Sequence, residues 1–285
     1  MTYNRTKKIY DRLFQIAGLV TMSISLTVLV VFLISIAKSG LPRLSWDFIT
    51  SLPSRFPEKA GIYTAMMGTI WLMILTAIFA IPVGVMGAIY LEEYGKKGRF
   101  SRLLEKNIAN LSGVPSVIYG ILGLELFART LSLGNSLLTG SLTLSLLILP
   151  VIIVSTREAL KAIPNSLREG SYALGATQWQ TISRLILPAA AGSILTGIIL
   201  ALSRAIGEAA PLIVAGALVY VPFAPTSPMD EYSALPIQIF NWISRPQSAF
   251  ANNAAAGIIV LLIVTFLLNG IAIAYRYRLR KKQRW

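Results

Sequence analysis

Arg204 and Glu208 are the residues of this chain best placed to do chemistry, because they stand four apart in RAIGEAAPL, inside a long apolar run. A charge at bilayer depth is costly, so it faces a partner, a cavity or a bound ion. On a helix the two share a face and can pair with each other. Two readings follow: a structural ion pair, or an anion path in which Arg204 is the charged ligand and Glu208 orients it. Counted from residue 192 at about 1.5 Å per residue, Arg204 falls roughly 18 Å along, near the bilayer midplane. Glu125 either pairs locally with Arg129 at i+4 or lines the outer mouth of such a path. The chain has no Cys and no His, which removes thiol chemistry, disulfides and imidazole ligands and leaves carboxylates as the sole protein route to a metal; no metal site is assigned. It also lacks a phosphate-cradling P-loop, a nucleophile elbow and a zinc-binding His pair. An enzyme is therefore not expected.

What positions these residues is a membrane-embedded bundle. The chain is 55% hydrophobic and 13% charged, with mean hydropathy +0.66, against roughly 25% charged residues in an average soluble domain. Crossing about 30 Å of hydrocarbon takes about 20 apolar residues. Six runs qualify, approximately 14–37, 63–91, 108–128, 136–155, 192–221 and 254–275. The predicted fold class is all-α, a polytopic membrane protein with about six transmembrane helices. The first run is long and lacks a convincing cleavage site, so it reads as an uncleaved signal anchor. Glycine and proline punctuate three of the runs at Pro82 and Gly84, at Gly113, Pro115, Gly120 and Gly123, and at Gly207, Pro211 and Gly216. Such residues serve ordinary close packing or a bundle that encloses a path and moves.

The net charge of +14 would suggest a nucleic-acid partner in a soluble protein, but its placement argues against one. Arg5, Lys7, Lys8 and Arg12 open the chain, and Arg276, Arg278, Arg280, Lys281, Lys282 and Arg284 close it. Basic residues beside apolar runs fix topology. With both termini inside, the inner segments hold 19 of the 26 Lys and Arg residues, which puts the connection at 156–188 in the cytoplasm. The tail can also lie against anionic lipid. The domain reading is a basic cytoplasmic start at 1–13, a membrane domain at 14–275 and a basic cytoplasmic tail at 276–285. Proline-rich outer segments include LPIQIFNWI from Leu235 to Ile243, apolar enough to lie in the outer interface or dip into it.

The 156–188 connection has an order of its own. Ile163-Pro164 breaks the preceding helix, and Asn165 or Ser166 can cap a new one whose first turn contains Glu169. Gly175 stops it, since a Gly just past the last turn takes φ > 0 without steric cost. Thr177 is a second candidate cap. Trp179, Ile182 and Ile186 then recur at helical spacing, which predicts an amphipathic helix along the inner membrane face that Pro188 ends before the fifth run.

The spacing of Glu169, Gly175 and Leu187-Pro188 resembles the coupling loop of ABC importer permeases, whose pattern is Glu-Ala-Ala, three residues, Gly, nine residues, then Ile-x-Leu-Pro. The two alanines are replaced here by Gly170 and Ser171, and the Ile position is Leu185. Those replacements weaken helix propensity and predict a less rigid loop. In that family the loop docks on a nucleotide-binding subunit. The resemblance thus implies that Glu169, Gly170, Ser171, Gly175, Leu187 and Pro188 couple this chain to an ATPase carried by a separate chain. Three further stretches, GVPSVIYGILGLELF, SYALGATQWQTI and SRAIGEAAPLIV, look like the permeases of the phosphate-specific ABC transport system. The short basic start and LPIQIFNW look like its A-type subunit.

This resemblance runs from Thr21 to Ala272 and implies a type I ABC importer permease fold forming half of a path for inorganic phosphate. The implied partners are a C-type permease subunit, two ATP-binding subunits and an external phosphate-binding protein. The implied location is a bacterial cytoplasmic (inner) membrane, with no cofactor on this chain and ATP on the partner. Arg204 suits the substrate, because guanidinium matches phosphate oxygens bidentately. The alternatives are an importer of another oxyanion or a phosphonate, and a secondary anion transporter. The latter would usually show inverted repeats or several intramembrane acids.

Overall fold

The computed structural model describes residues 2–95, 98–217 and 220–282, without the side chains of residues 2–9, 100 and 279–282. The side chains of Arg5, Lys7, Lys8, Arg280, Lys281 and Lys282, and Arg284 entirely, therefore lie outside the described residues. Among the described residues every regular element is helical. Five helices among the described residues are long and apolar enough to cross a membrane: α1 (Thr2–Gly40), α2 (Tyr63–Tyr94), α5 (Leu137–Lys161), α7 (Gln178–Ile206) and α10 (Ala249–Lys282). Between them lie α3 (Arg99–Leu111), α4 (Ser116–Thr130), α6 (Asn165–Ala173), α8 (Ala210–Val214) and α9 (Leu235–Ile243).

α5 is the centre of the bundle. Its most apolar window is 67% buried, against 6% for α1, which packs chiefly along α10. Sequence explains the close contacts of α5, because small residues let helices approach where lipid offers no hydrophobic drive. Gly84 of α2 lies against Ile152, Gly123 of α4 against Thr143 and Gly197 of α7 against Ser155, and a methyl group at any of the three would overlap its neighbour. The Thr76 hydroxyl donates to the Ser141 carbonyl at 3.3 Å and the Ser145 hydroxyl to the Thr76 carbonyl at 3.3 Å, so the α2–α5 seam is polar as well as tight.

Two predicted spans are corrected. The run 108–128 is not one helix: α3 and α4 meet at a 102° bend over Ser112–Pro115. Pro115 lacks an N–H and forces Val114 out of the helical region, and the Tyr119 hydroxyl closes the elbow by donating to the Leu111 carbonyl at 2.7 Å. The pair makes a sixth span only if its two arms are counted as one. The run 192–221 is also not continuous. α7 begins at Gln178, stops at Ile206 and gives way to the short α8. Gly216 then turns the chain at φ +99°, where a Cβ would strike the Asn135 side chain.

The chain next folds back inside. Tyr232, Leu235 and Trp242 are almost wholly buried, so α9 dips into the bundle rather than lying on its surface. Carbonyls of Asp230 and Pro228 accept the first α5 amides, from Leu137 at 3.0 Å and Leu138 at 2.8 Å. The Asp230 carboxylate accepts from the Thr226 and Ser227 amides, which hold it below the usual carboxylate range. The Leu235 amide donates to Thr69 Oγ1 at 2.8 Å. At the same end Arg43 reaches Asn253 Oδ1 at 2.8 Å and the carbonyls of Pro57, Glu58 and Ala60, fixing the connection before α2.

Candidate functional site

The loop predicted at 156–188 is a helix, a sharp turn and a second helix, but its parts differ from expectation. α6 starts after Pro164, and neither Asn165 nor Ser166 caps it. Glu169 consequently sits in the second turn, exposed. Arg168 anchors the start instead. Its guanidinium donates to the Ile163 carbonyl at 2.7 Å and the Leu160 carbonyl at 2.9 Å, closing the C-terminal end of α5. The same group forms a two-pronged pair with Glu93 at 2.8 and 3.4 Å. Both side chains are largely buried, 14% and 7% exposed.

Gly175 ends α6 as the spacing requires. Its φ is +82°, its amide donates to Tyr172 O at 2.9 Å and the Ala176 amide to Ser171 O at 3.2 Å, the paired bonds of a Schellman turn. No atom lies within 4 Å of where a Cβ would be, so backbone conformation alone selects glycine here. Thr177 caps α7: its hydroxyl accepts from Gln180 N at 3.3 Å, and Gln180 Oε1 accepts from Thr177 N at 2.9 Å. Ser171, expected to loosen the loop, ties its two arms together with Thr181 at 2.9 Å. Gly170 has open space around it.

Pro188 does not end the second helix. The segment Ile182–Ile186 widens into a π turn in which the Leu187 amide bonds Ile182 O. This register accommodates a residue that lacks an N–H. The helix therefore runs from Gln178 to Ile206 without interruption. Ile182 and Ile186 are buried while Trp179 is exposed, so this is the loop end of a helix long and apolar enough to span rather than a separate strip. Leu187 is half-buried and Pro188 exposed.

Glu93, Arg168 and Gln178 were missed in the sequence. Glu93 holds both arms of the loop, its carboxylate on Arg168 and its carbonyl accepting from Gln178 Nε2 at 2.6 Å. The available signal was the acid pair Glu92-Glu93 at the end of an apolar run, opposite basic residues. The loop's outer face carries apolar side chains in a polar setting: Leu174 at 90% exposure, with Leu167, Tyr172 and Trp179 also exposed.

At the other end of α7, Arg204 occupies the last helical turn and Glu208 lies two residues beyond the helix. Arg204 Nε is 3.5 Å from Glu208 Oε1, with 42% of the Arg204 side chain and 20% of the Glu208 side chain exposed. The pairing anticipated at i and i+4 is present, at a helix break rather than inside a continuous span. The break is held by close approach. A Cβ on Gly120 of α4 would fall 2.7 Å from Pro211 O and 2.8 Å from Pro211 Cα. Two polar contacts, seven residues apart on each helix, fasten α10 to α7: Arg276 Nη1 donates to Thr196 Oγ1 at 2.7 Å, and Ser203 Oγ lies 2.6 Å from Asn269 Oδ1. Glu125 joins neither group. It pairs with Arg129 at 3.0 Å, both side chains about two-thirds exposed at 64% and 67%. Among the described residues no cluster of His, Cys, Asp or Glu could hold a metal. What the break offers chemically is a part-exposed guanidinium, steered by a carboxylate, that can accept an oxyanion.

Residues 80–284 match the family model described as binding-protein-dependent transport system inner membrane component. The chain is 34% identical over 251 residues to the phosphate transport system permease protein PstA 1 of Mycobacterium tuberculosis, covering 86% of this chain and 79% of that protein. It is 29% identical over 263 residues to PstA of Haemophilus influenzae, covering 92% of each, and 37% identical over 236 residues to the probable ABC transporter permease YqgH of Bacillus subtilis, covering 78% and 74%. In fold it is similar to a chain of a bacterial alginate ABC transporter crystallised with its periplasmic protein, with TM-score 0.69, 18% identity and coverage of 92% and 93%.

Proposed function

Because the chain belongs to the family of binding-protein-dependent transport system inner membrane components, we propose that it is the A-type permease subunit of an ATP-driven importer of inorganic phosphate. The observation that carries this reading is α7 itself: one uninterrupted helix has the exposed loop at its start and the Arg204–Glu208 pair at its end. A subunit that converts an event on a partner into movement of an anion path needs both on one element. The phosphate assignment is supported by the two PstA relatives, which are phosphate transport system permeases, and by guanidinium chemistry.

In this reading Arg204 is the ligand of the passing anion and Glu208 its orienting partner. Glu125, bonded to Arg129, would act only at the outer mouth. Glu169, Gly170, Ser171, Gly175, Leu187 and Pro188, with the exposed Leu174 and Trp179, form the seat for an ATP-binding subunit. ATP is bound and hydrolysed there, on a separate chain present in two copies. A homologous C-type subunit supplies the other half of the path, and an external binding protein delivers phosphate. The excess of Lys and Arg on the loop side supports cytoplasmic termini in a bacterial inner membrane.

Arg204→Gln tests the reading in reconstituted complexes. It should abolish phosphate uptake while leaving assembly and ATP hydrolysis in place, and Arg204→Lys should restore little, because a point charge lacks the planar fork. If the pair is merely structural, either single neutral change destabilises the complex and the double change, Arg204→Gln with Glu208→Gln, recovers stability and uptake together. That recovery would remove Arg204 from the path.

A further inference from the structure

A groove of about 510 Å3 lies where α2, α7 and α10 meet, and neither Arg204 nor Glu208 lines it. Met73 and Ile206 are its buried floor, and Ile74, Leu267 and Leu268 stand exposed at its mouth. The few polar side chains on its wall already have partners within the protein. The hydroxyls of Thr69, Ser203 and Thr265 each donate to a carbonyl of their own helix, at 2.8, 2.7 and 2.7 Å, and Asn269 Oδ1 is 2.6 Å from Ser203 Oγ. The wall therefore suits hydrocarbon rather than a polar solute.

The loop-side end of the groove is charged. Ala272 and Ile199 line the groove, and one helical turn further toward the loop, on the same faces, stand Arg276 of α10 and Thr196 of α7. Arg276 Nη1 donates to Thr196 Oγ1 at 2.7 Å, so the half-buried guanidinium lies across the end of the groove instead of reaching away into water. It has no counter-ion. Neither α7 nor α10 contains an acid, and Glu92 and Glu93 at the end of α2 are held by Arg157 and Arg168. An uncompensated cation at the edge of an apolar site selects a ligand that joins an anionic group to hydrocarbon.

Length narrows the ligand further. From Val264 to Arg276, α10 advances about 18 Å at about 1.5 Å per residue, a little more than half of a hydrocarbon core of about 30 Å. That is the depth of one leaflet, whereas a spanning helix from another subunit would need a groove about twice as long. We propose that the groove is a binding site for an anionic phospholipid of the loop-side leaflet, with one acyl chain between α2, α7 and α10 and the phosphate on Arg276. A zwitterionic lipid fits less well, because its ammonium brings a second cation to a place where one is already unpaired. The bound chain rests on Ile199, Leu202 and Ile206, so it packs against the helix that carries Arg204.

Photocrosslinking tests this in the full-length chain, in phosphatidylcholine nanodiscs doped with phosphatidylglycerol that carries a diazirine on its acyl chain. Adducts mapped by mass spectrometry should concentrate at 199–206 and 264–272, and unlabelled phosphatidylglycerol should compete them away where phosphatidylcholine does not. Arg276→Gln keeps a donor for Thr196 but removes the charge, and should cut these adducts about tenfold. Arg278→Gln, at an exposed position on the same helix, should leave them unchanged. Ala272→Trp fills the groove with Arg276 intact and should also displace the lipid, which provides a second variant if Arg276→Gln does not fold. Equal labelling by diazirine-bearing phosphatidylcholine would make the occupant ordinary solvent lipid and overturn the proposal. So would an absence of adducts in the groove, or a phosphatidylglycerol preference that survives Arg276→Gln or Ala272→Trp. Adducts seen in the isolated chain but lost when it is purified with its partner subunits would give the groove to a neighbouring helix instead.

Discussion

The two ends of α7 are held in place by opposite means. At the loop, hydrogen bonds and charge do the work: Arg168 on Glu93, Gln178 on the Glu93 carbonyl, Ser171 on Thr181, and a capping box at Thr177. At the break, contact does most of it, with Gly120 pressed against the Pro211 backbone beside an ion pair at 3.5 Å and the Ser203–Asn269 hydrogen bond. The difference follows from the surroundings. An exposed loop has little apolar area to bury and must be specified by directional bonds, whereas between spanning helices small residues and close packing hold the backbone. Electrostatic changes should therefore disturb the first end and changes of volume the second.

The largest expected effect is at the loop. Arg168→Ala leaves the Glu93 carboxylate buried without its partner, at a cost of about 3–5 kcal/mol. The loop should become protease-sensitive, and Glu93→Gln in the same chain should recover part of the loss. Limited proteolysis of the three variants checks this, and equal cleavage rates would show that the loop does not depend on charge. Next comes Gly120→Val, where side-chain atoms overlap backbone and overpacking costs about 1–3 kcal/mol. Thermal unfolding in detergent should fall for Gly120→Val, with the loop's protease resistance unchanged. Loss of loop resistance there would join the two ends into one unit. The smallest effect on stability is expected from Gly175→Val, which imposes a left-handed conformation on a side-chain-bearing residue at about 1–2 kcal/mol. The chain should still insert, but its co-purification with the ATP-binding subunit should weaken; unchanged co-purification would mean that the turn's shape is not read by a partner.

The same contrast explains what the sequence disclosed. Gly175 and Thr177 were legible because a helix stop and a helix cap are local, and each satisfies backbone groups within a few residues of itself. The Glu125–Arg129 and Arg204–Glu208 pairs were legible for the same reason. The Glu93–Arg168 bond was not, since its partners are 75 residues apart. Hydropathy alone drew spans through 108–128 and 192–221, although Gly113 and Pro115, and Gly207 and Pro211, stood in the sequence as breakers. Pro188 misled in the reverse direction. A proline normally ends a helix, but a wide turn directly before it absorbs the missing donor, and no local rule reveals that the turn is there. Ser171 was judged by propensity, while its hydroxyl found a partner across the loop.

That wide turn at Ile182–Ile186 has a mechanical consequence. By letting the chain pass Pro188 without a joint, it makes the stretch from Gln178 to Arg204 a single lever about 39 Å long at about 1.5 Å per residue. Pivoted anywhere near the bundle centre, a lever of that length does not need a large stroke. A tilt of about 9° imposed at the loop moves the far end, about 20 Å from such a pivot, by about 3 Å, comparable with the separation of two hydrogen-bonded heavy atoms. The guanidinium at its tip could thus be brought to an anion or withdrawn from it by a push too small to unpack the glycine contacts along the way.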